Sequence, residues 1–224
     1  MNIYWGIFIL TMLASWLVSA LFDSRIKKYS QVRTSMTGKE VAERMLRENG
    51  ITDVQVVCTP GMLTDHYNPA NRTVNLSKDV YEGANLAAMA VAAHECGHAI
   101  QHAMDYAPLR LRSALVPMVS FSARWVTWII LAGMLVLQQF PQLMLFGIGL
   151  FAITTLFSFV TLPVEINASM RAVSWMEESM LVTREDMPKA EAALRAAAYT
   201  YVVAALSSLA TLIYYIAIYS GSRR

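Results

Sequence analysis

The stretch that decides the fold is residues 3–22, IYWGIFILTMLASWLVSALF, which contains 20 residues and no charge. At 1.5 Å per residue, a helix of this length crosses a hydrocarbon core of about 30 Å. The alternative is a cleaved signal peptide, but no basic residue precedes the stretch and no small-x-small cleavage site leads cleanly into the next segment. We therefore predict a retained transmembrane helix over residues 1–22.

Three more apolar runs follow, and they set the fold class. The runs at 114–137 and 143–162 are joined by the short uncharged turn QQFPQ, so residues 114–162 are expected to form a transmembrane hairpin. The run at 199–219 predicts a fourth span within a last segment, 199–224, that ends in a tail. Within the hairpin, Arg124 should face protein or water because charges are costly in lipid. The sequence predicts a mainly α protein with about four transmembrane helices and the lipid bilayer as a partner.

Composition supports this class and excludes others. Of the residues, 56% are hydrophobic and 15% are charged, whereas a soluble domain carries about a quarter charged residues. The net charge of +2 and the absence of a long basic run argue against nucleic acid as a partner. Cys58 and Cys96 are too few for a disulfide framework, and we interpret both as free thiols.

The basic residues predict the orientation. Residues 23–113 contain eleven Lys or Arg and residues 163–198 contain four, whereas the opposite side would have only Arg223 and Arg224. Because basic residues favour the cytoplasmic side, we expect a multi-pass protein of the plasma membrane with its polar insert, 23–113, in the cytoplasm.

The polar insert has its own secondary structure. Thr37-Gly-Lys-Glu40 has the pattern of a capping box at a helix N-terminus. The segments 53–58 and 72–76 have strand composition and are separated by turn residues, which predicts a small β-hairpin. A long Ala-rich helix is expected at about 85–104, and a further helix and connecting segment at 163–198.

The Ala-rich helix contains His94-Glu-Cys-Gly-His98. Histidines four apart lie on one helix face, so both imidazoles can reach one metal ion. Glu95 can then act as the general base toward a metal-activated water. We interpret Gly97 as keeping the helix surface low where a substrate approaches. The alternative is a surface helix with unrelated histidines, but its apolar flanks would make unpaired imidazoles costly.

The third ligand has two candidates. His102 lies four residues beyond His98, but about 12 Å of helix rise separates it from His94. That distance is too large for a straight helix to bring all three imidazoles to one ion. Glu165 is the only carboxylate between Asp105 and Glu177, and two spans return it to the side of the insert. We therefore expect His94, His98 and Glu165 to bind zinc, although Glu165 could also be an ordinary interfacial carboxylate.

Three motifs resemble one known family. They are LTDHYNPANRTVNLS at 63–77, AVAAHECGHAIQH at 90–102 and LPVEINASMRA at 162–172. Together they resemble the bacterial membrane neutral zinc metallopeptidases of the YugP-like family, and the likeness covers nearly the whole chain. The resemblance implies a membrane gluzincin with a zincin-like insert.

By this resemblance His94, His98 and Glu165 are zinc ligands and Glu95 is the general base. In the more distant membrane gluzincins of the HtpX and prenyl-protein-protease type, an Asp follows the ligand Glu by four residues. Ser169 stands in that place here and departs from the pattern.

Four further residues are candidates for supporting roles. Asn167 and Arg171 lie close to Glu165 in sequence and are candidates to support the ligands. His102 is a candidate for a hydrogen bond behind the site. His66 is either a substrate-binding or oxyanion-stabilising residue or a solvent-facing histidine of the hairpin. The strand at 72–76 could pair with an extended peptide if it is an exposed edge.

The leading hypothesis is a zinc-dependent endopeptidase that cleaves protein or peptide substrates at the cytoplasmic membrane surface. One alternative is intramembrane proteolysis of the site-2 type, but the charges that flank the Ala-rich helix leave it short for a span. The other is a catalytically idle zinc-binding scaffold, which would have no use for Glu95. The sequence does not specify an oligomeric state.

Overall fold

The computed structural model describes residues 3–221, and long helices dominate it. Helix α1 spans Ile3–Tyr29, α5 Ala107–Leu135, α6 Pro141–Glu178 and α7 Met187–Gly221. Within the described residues, these four helices are long and apolar enough to cross a membrane. The predicted number of spans is therefore confirmed.

Helix α6 is longer than the apolar run that predicts it. The sequence places the end of the third span at residue 162, but the helix continues through Pro163 to Glu178. Proline removes one backbone hydrogen bond, and helices of membrane proteins tolerate such a loss because neighbouring groups compensate. Glu165 consequently lies inside a helix rather than after a break.

The described chain forms two compact units, each built from separate stretches. The span unit comprises residues 3–17, 110–163 and 200–221. Its apolar core contains Ile130, Met144 and Ile148. A Cβ at Gly133 would come within 2.7 Å of the Met144 Cα, so the backbones of α5 and α6 meet there without an intervening side chain. Small residues permit this close packing between membrane helices.

The site unit comprises residues 18–109 and 164–199. It contains α2 (Gly38–Glu48), α3 (Lys78–Tyr81) and α4 (Leu86–Ala103) together with a small sheet. The predicted capping box is present: the Thr37 hydroxyl accepts from the Glu40 amide and the Glu40 carboxylate accepts from the Thr37 amide. Helix α2 packs into the same hydrophobic core as α4, the helix that carries His94 and His98. The buried residues of α2 include Val41 and Met45.

The sheet corrects the predicted hairpin. Among the described residues it has three strands, β1 (Gln55–Thr59), β2 (His66–Asn68) and β3 (Thr73–Ser77), in the order β1-β3-β2. The two strands predicted to form a hairpin are parallel neighbours, and β2 pairs antiparallel with β3. Strand β2 was missed because three residues are too few to show strand periodicity.

Hydrogen bonds to Asp65 help to explain this topology. The Asp65 carboxylate accepts from the backbone amide of Ser77 at 2.7 Å and from its hydroxyl. This contact ties the start of β2 to the end of β3. Because β3 pairs with β1 on one side and with β2 on the other, it cannot be the exposed edge that would pair with a peptide. That interpretation of residues 72–76 was wrong.

Candidate metal centre

Helix α4 carries the candidate metal ligands, and its N-terminus is fixed by two contacts. The Asn85 side chain caps the helix by accepting from the Ala88 amide at 3.0 Å. Arg33 and Asn85 form an isolated antiparallel β-bridge. Beside it, the Leu86 amide donates to the Val32 carbonyl at 2.9 Å. Capping satisfies amides that have no partner inside the helix. The helix therefore starts at a defined position relative to the rest of the site unit.

One face of α4 belongs to the hydrophobic core. Met89, Ala92, Ala93 and Cys96 are entirely buried in it. Burial, with a smaller contribution from the charge of Glu95, raises the pKa of the Cys96 thiol far above its ordinary value. Because the thiolate is the reactive and metal-binding form, Cys96 is a core residue rather than a ligand.

On another face of α4, His94 and His98 meet Glu165 of α6. The Glu165 Oε2 lies 3.3 Å from His94 Nε2 and 3.5 Å from His98 Nε2. One ligand atom from each residue lies within 4.8 Å of the others. The Glu165 side chain is 3% exposed, against 14% for His94 and 10% for His98. The structure thus brings together the three residues proposed as ligands from the sequence.

A close contact of two backbones makes this convergence possible. A Cβ at Gly97 would lie 2.6 Å from the Ala168 carbonyl oxygen and 3.0 Å from its Cα. No ordinary Cβ contact is that short, so α4 and α6 approach each other because residue 97 has no side chain. Gly97 therefore faces the helix of Glu165. This position corrects the interpretation that it keeps a substrate surface low.

The outer nitrogen of each histidine has a partner. His94 Nδ1 lies 3.1 Å from Ser169 Oγ, and His98 Nδ1 lies 3.1 Å from Gln101 Oε1. Metal-binding histidines usually make such a second hydrogen bond, which orients the ring and selects the tautomer. Gln101 was not predicted from the sequence. Its spacing of three residues after His98 is the signal that could have indicated it.

The Asn167 and Arg171 side chains lie one step farther from the ligands. Asn167 Oδ1 accepts from Gln101 Nε2 at 3.0 Å and from Arg171 Nε at 2.8 Å. Neither contact reaches an imidazole directly.

Glu95 is 8% exposed and lies between the two histidines in the sequence of α4. Burial acts to lower the pKa of His98, but a hydrogen bond to Glu165 and the charges of Glu95 and Glu165 outweigh it and raise that pKa. The two carboxylates thus favour positive charge at the centre. A metal cation would meet the same requirement.

The remaining histidines lie elsewhere. His102 is exposed, and its Nδ1 lies 2.7 Å from the Tyr67 hydroxyl rather than in the group with Glu165. His66 is also exposed, at the start of strand β2, where its Nδ1 lies 2.7 Å from the Thr64 carbonyl oxygen. The Tyr67–His102 contact joins the edge strand to the end of α4.

The donor set fits zinc. Two imidazole nitrogens and one carboxylate oxygen are the protein ligands of a known class of catalytic zinc sites. Hard cations such as Mg²⁺ and Ca²⁺ instead prefer all-oxygen surroundings.

Two comparisons with known proteins found similar sequences. The family model described as "Putative neutral zinc metallopeptidase" matches residues 4–220. The chain is 41% identical over 204 residues to a Bacillus subtilis (strain 168) protein named "Putative membrane protease YugP", and the match covers 89% of each chain. No solved structure matches the chain.

Proposed function

The chain belongs to the "Putative neutral zinc metallopeptidase" family, and we propose that it is a zinc-dependent endopeptidase of the membrane. Its substrates would be proteins or peptides at or near the bilayer. The observation that carries the proposal is the convergence of His94, His98 and Glu165 beside the buried Glu95. The similarity to a protein named as a membrane protease supports the same reaction class.

The proposed ligands are His94 and His98 through Nε2 and Glu165 through its carboxylate. Three protein ligands leave one position of a tetrahedral site open, which distinguishes catalytic from structural zinc sites. When bound, zinc supplies a Lewis acid that polarises the peptide carbonyl and lowers the pKa of water to about 7.

Glu95 is proposed as the general base. It follows His94 directly in α4, and its burial keeps bulk water from screening its charge. It would take the proton from the attacking water and later give a proton to the departing amine. An idle scaffold that only retains zinc has no need for a buried carboxylate at this position.

Cleavage is proposed at the membrane surface rather than inside the bilayer. Helix α4 is not among the helices that are apolar enough to cross a membrane in the described part of the chain. It carries His94, Glu95, His98 and His102. Such polar content argues against the site-2-type alternative, in which the zinc-binding helix itself would be a span.

The proposal predicts one zinc ion per purified chain and a peptidase activity that depends on it. Treatment with a chelator should abolish casein cleavage, and added zinc should restore it. Elemental analysis measures the stoichiometry, and anomalous scattering at the zinc edge should give a peak beside His94, His98 and Glu165. A metal-free chain with full activity would contradict the proposal, as would a peak far from these side chains.

The orientation is a separate proposal, and it rests on charge. Fifteen basic residues lie in 23–113 and 163–198. Basic residues near membrane helices favour the cytoplasmic side, so we place the zinc site in the cytoplasm of a plasma-membrane protein.

Labelling of single cysteines in intact cells tests this orientation. The background replaces Cys58 with Ser and Cys96 with Ala, and the probes are Glu43→Cys and Gln139→Cys, both at exposed positions. An impermeant thiol reagent should label Gln139→Cys and leave Glu43→Cys protected until the cells are opened. The reverse pattern would place the site on the outer side.

A further inference from the structure

Gln101 is a buried amide that joins the two helices of the candidate metal centre. It lies on α4, about one turn after His98, and none of its surface is exposed. Its Nε2 donates to the Val164 carbonyl oxygen at 2.7 Å and to Asn167 Oδ1 at 3.0 Å, and its Oε1 lies 3.1 Å from His98 Nδ1. Because an unmade hydrogen bond is costly in a buried site, the amide is held in one orientation.

The direction of this hydrogen-bond chain is set by the Val164 carbonyl, which can only accept from Gln101, and is set again at its far end by Arg171. A guanidinium has N–H donors and no acceptor, and Arg171 Nε lies 2.8 Å from the Asn167 side chain. Asn167 must therefore present its oxygen to Arg171. The same oxygen faces Gln101, so Gln101 must direct its amide nitrogen there. The oxygen of Gln101 is left for His98.

The consequence is a fixed tautomer of His98. Because Gln101 Oε1 can only accept, His98 Nδ1 must carry the hydrogen and donate it. The lone pair of the neutral ring is then on Nε2, the nitrogen that lies 3.5 Å from Glu165 Oε2. This is the nitrogen that a metal between the three ligands requires.

His94 is held in a different way. Its Nδ1 lies 3.1 Å from Ser169 Oγ. A hydroxyl can donate or accept, so Ser169 is compatible with either tautomer. Of these two imidazoles, His98 is the one whose outer nitrogen faces an acceptor with a fixed orientation.

We propose that Gln101, oriented by Asn167 and Arg171, is a positioning residue that holds His98 as the Nδ1–H tautomer and thereby raises zinc affinity. This role rests on the zinc site proposed above, and none of the three residues is itself a proposed zinc ligand. Loss of such an outer partner typically lowers metal affinity by about 10–100-fold. Removing Arg171 should act in the same direction with a smaller effect, because Asn167 would then be free to turn over while the Val164 carbonyl still orients Gln101.

Zinc affinity of the full-length chain in detergent tests the proposal, with chelator competition as the measurement. Gln101→Met keeps a similar length but loses all three hydrogen bonds, and Arg171→Met removes only the group that orients Asn167. Ile100→Val is the matched control. Ile100 is a buried neighbour of Gln101 on α4, and its replacement alters packing without removing any hydrogen bond of Gln101. We expect weaker zinc binding by about 10–100-fold in Gln101→Met, a smaller loss in Arg171→Met and no change in Ile100→Val.

A second measurement separates orientation of the imidazole from general stability. In ¹⁵N-histidine NMR of the zinc-loaded chain, His98 should show an Nδ1–H signal that exchanges slowly with water. That protection should be lost in Gln101→Met and reduced in Arg171→Met, whereas the ring signal of His94 and the Ile100→Val spectrum should stay unchanged. A purely structural role would lower the melting temperature without moving this signal.

The outcomes distinguish the positioning role of Gln101 from the zinc site itself. Wild-type zinc affinity in both Gln101→Met and Arg171→Met would overturn the positioning role while leaving the zinc site intact. A His98 ring that binds zinc through Nδ1 would do the same. Should Gln101→Met fail to fold, the ¹⁵N-histidine spectrum of the zinc-loaded wild-type chain decides the question, because zinc on His98 Nδ1 in place of Nε2 would exclude the proposed tautomer. A wild-type chain that does not bind zinc would overturn the proposed function together with this inference.

Discussion

Replacing Glu95 with Gln is expected to lower the turnover number for peptide hydrolysis by about 10²–10⁴-fold, the usual contribution of general-base catalysis. The substitution preserves size but removes the group that takes the proton from water. Zinc should stay bound at one ion per chain because the change leaves His94, His98 and Glu165 in place. The measurement is steady-state cleavage of a fluorogenic peptide or casein, with zinc content determined on the same sample.

Glu82→Gln is the matched control for that experiment. Glu82 is an exposed glutamate just before α4, so the same chemical change there should leave both activity and zinc unaltered. Near-normal turnover in zinc-loaded Glu95→Gln would show that Glu95 has another role. Wild-type protein that binds zinc but cleaves nothing would instead favour an idle scaffold.

Replacing Glu165 with Ala is expected to weaken zinc binding strongly, and peptide cleavage should fall with it. Loss of a residue that only hydrogen-bonds a metal ligand lowers affinity by about 10–100-fold, and loss of a ligand itself should cost more. The carboxylate is almost completely buried, and both imidazole Nε2 atoms lie within 3.5 Å of its Oε2. Its removal leaves two ligands where a catalytic zinc site has three. Chelator competition measures the affinity, and cleavage at saturating zinc shows whether excess metal rescues the variant.

Two controls make the ligand assignment specific. Glu177→Ala removes an exposed carboxylate from the same helix and should retain zinc. His102→Ala should also retain zinc, because the His102 ring contacts Tyr67 and not Glu165. If His102→Ala lost zinc while Glu165→Ala kept it, the third ligand would be His102, and the straight-helix argument against it would be wrong.

The features that could be predicted from the sequence are those encoded in short, local patterns. A bilayer requires long uncharged runs, so the spans are visible as composition alone. The pairing of His94 with His98 follows from helix periodicity, and the helix start at Thr37 follows from the chemistry of its side chain. Glu165 was proposed as a ligand because it is the only carboxylate between Asp105 and Glu177, and the structure brings it beside His94 and His98.

The features that were missed or wrong depend on contacts between distant segments. The hydrogen bond from Gln101 to the Val164 carbonyl and the contact of Ser169 with His94 join α4 to α6, which approach each other at Gly97, and no spacing within either helix reveals that approach. The contact of Gln101 with His98 is local to α4, and its three-residue spacing was overlooked. The sheet was wrong for a related reason. Whether two strands pair parallel or antiparallel depends on what lies between them, and the three-residue strand at His66–Asn68 carries too little pattern to be recognised.

The placement of the third ligand on α6 has a consequence for biosynthesis. When the ribosome has made His98, the chain holds two of its proposed ligands, and Glu165 is still to be translated. At about 5–20 residues per second, the missing segment takes several seconds to appear, and it includes α5 and most of the apolar part of α6. A nascent chain therefore has no complete centre until two further spans have left the ribosome. In the proposed enzyme, this order would delay hydrolytic activity until most of the membrane-embedded part of the chain exists.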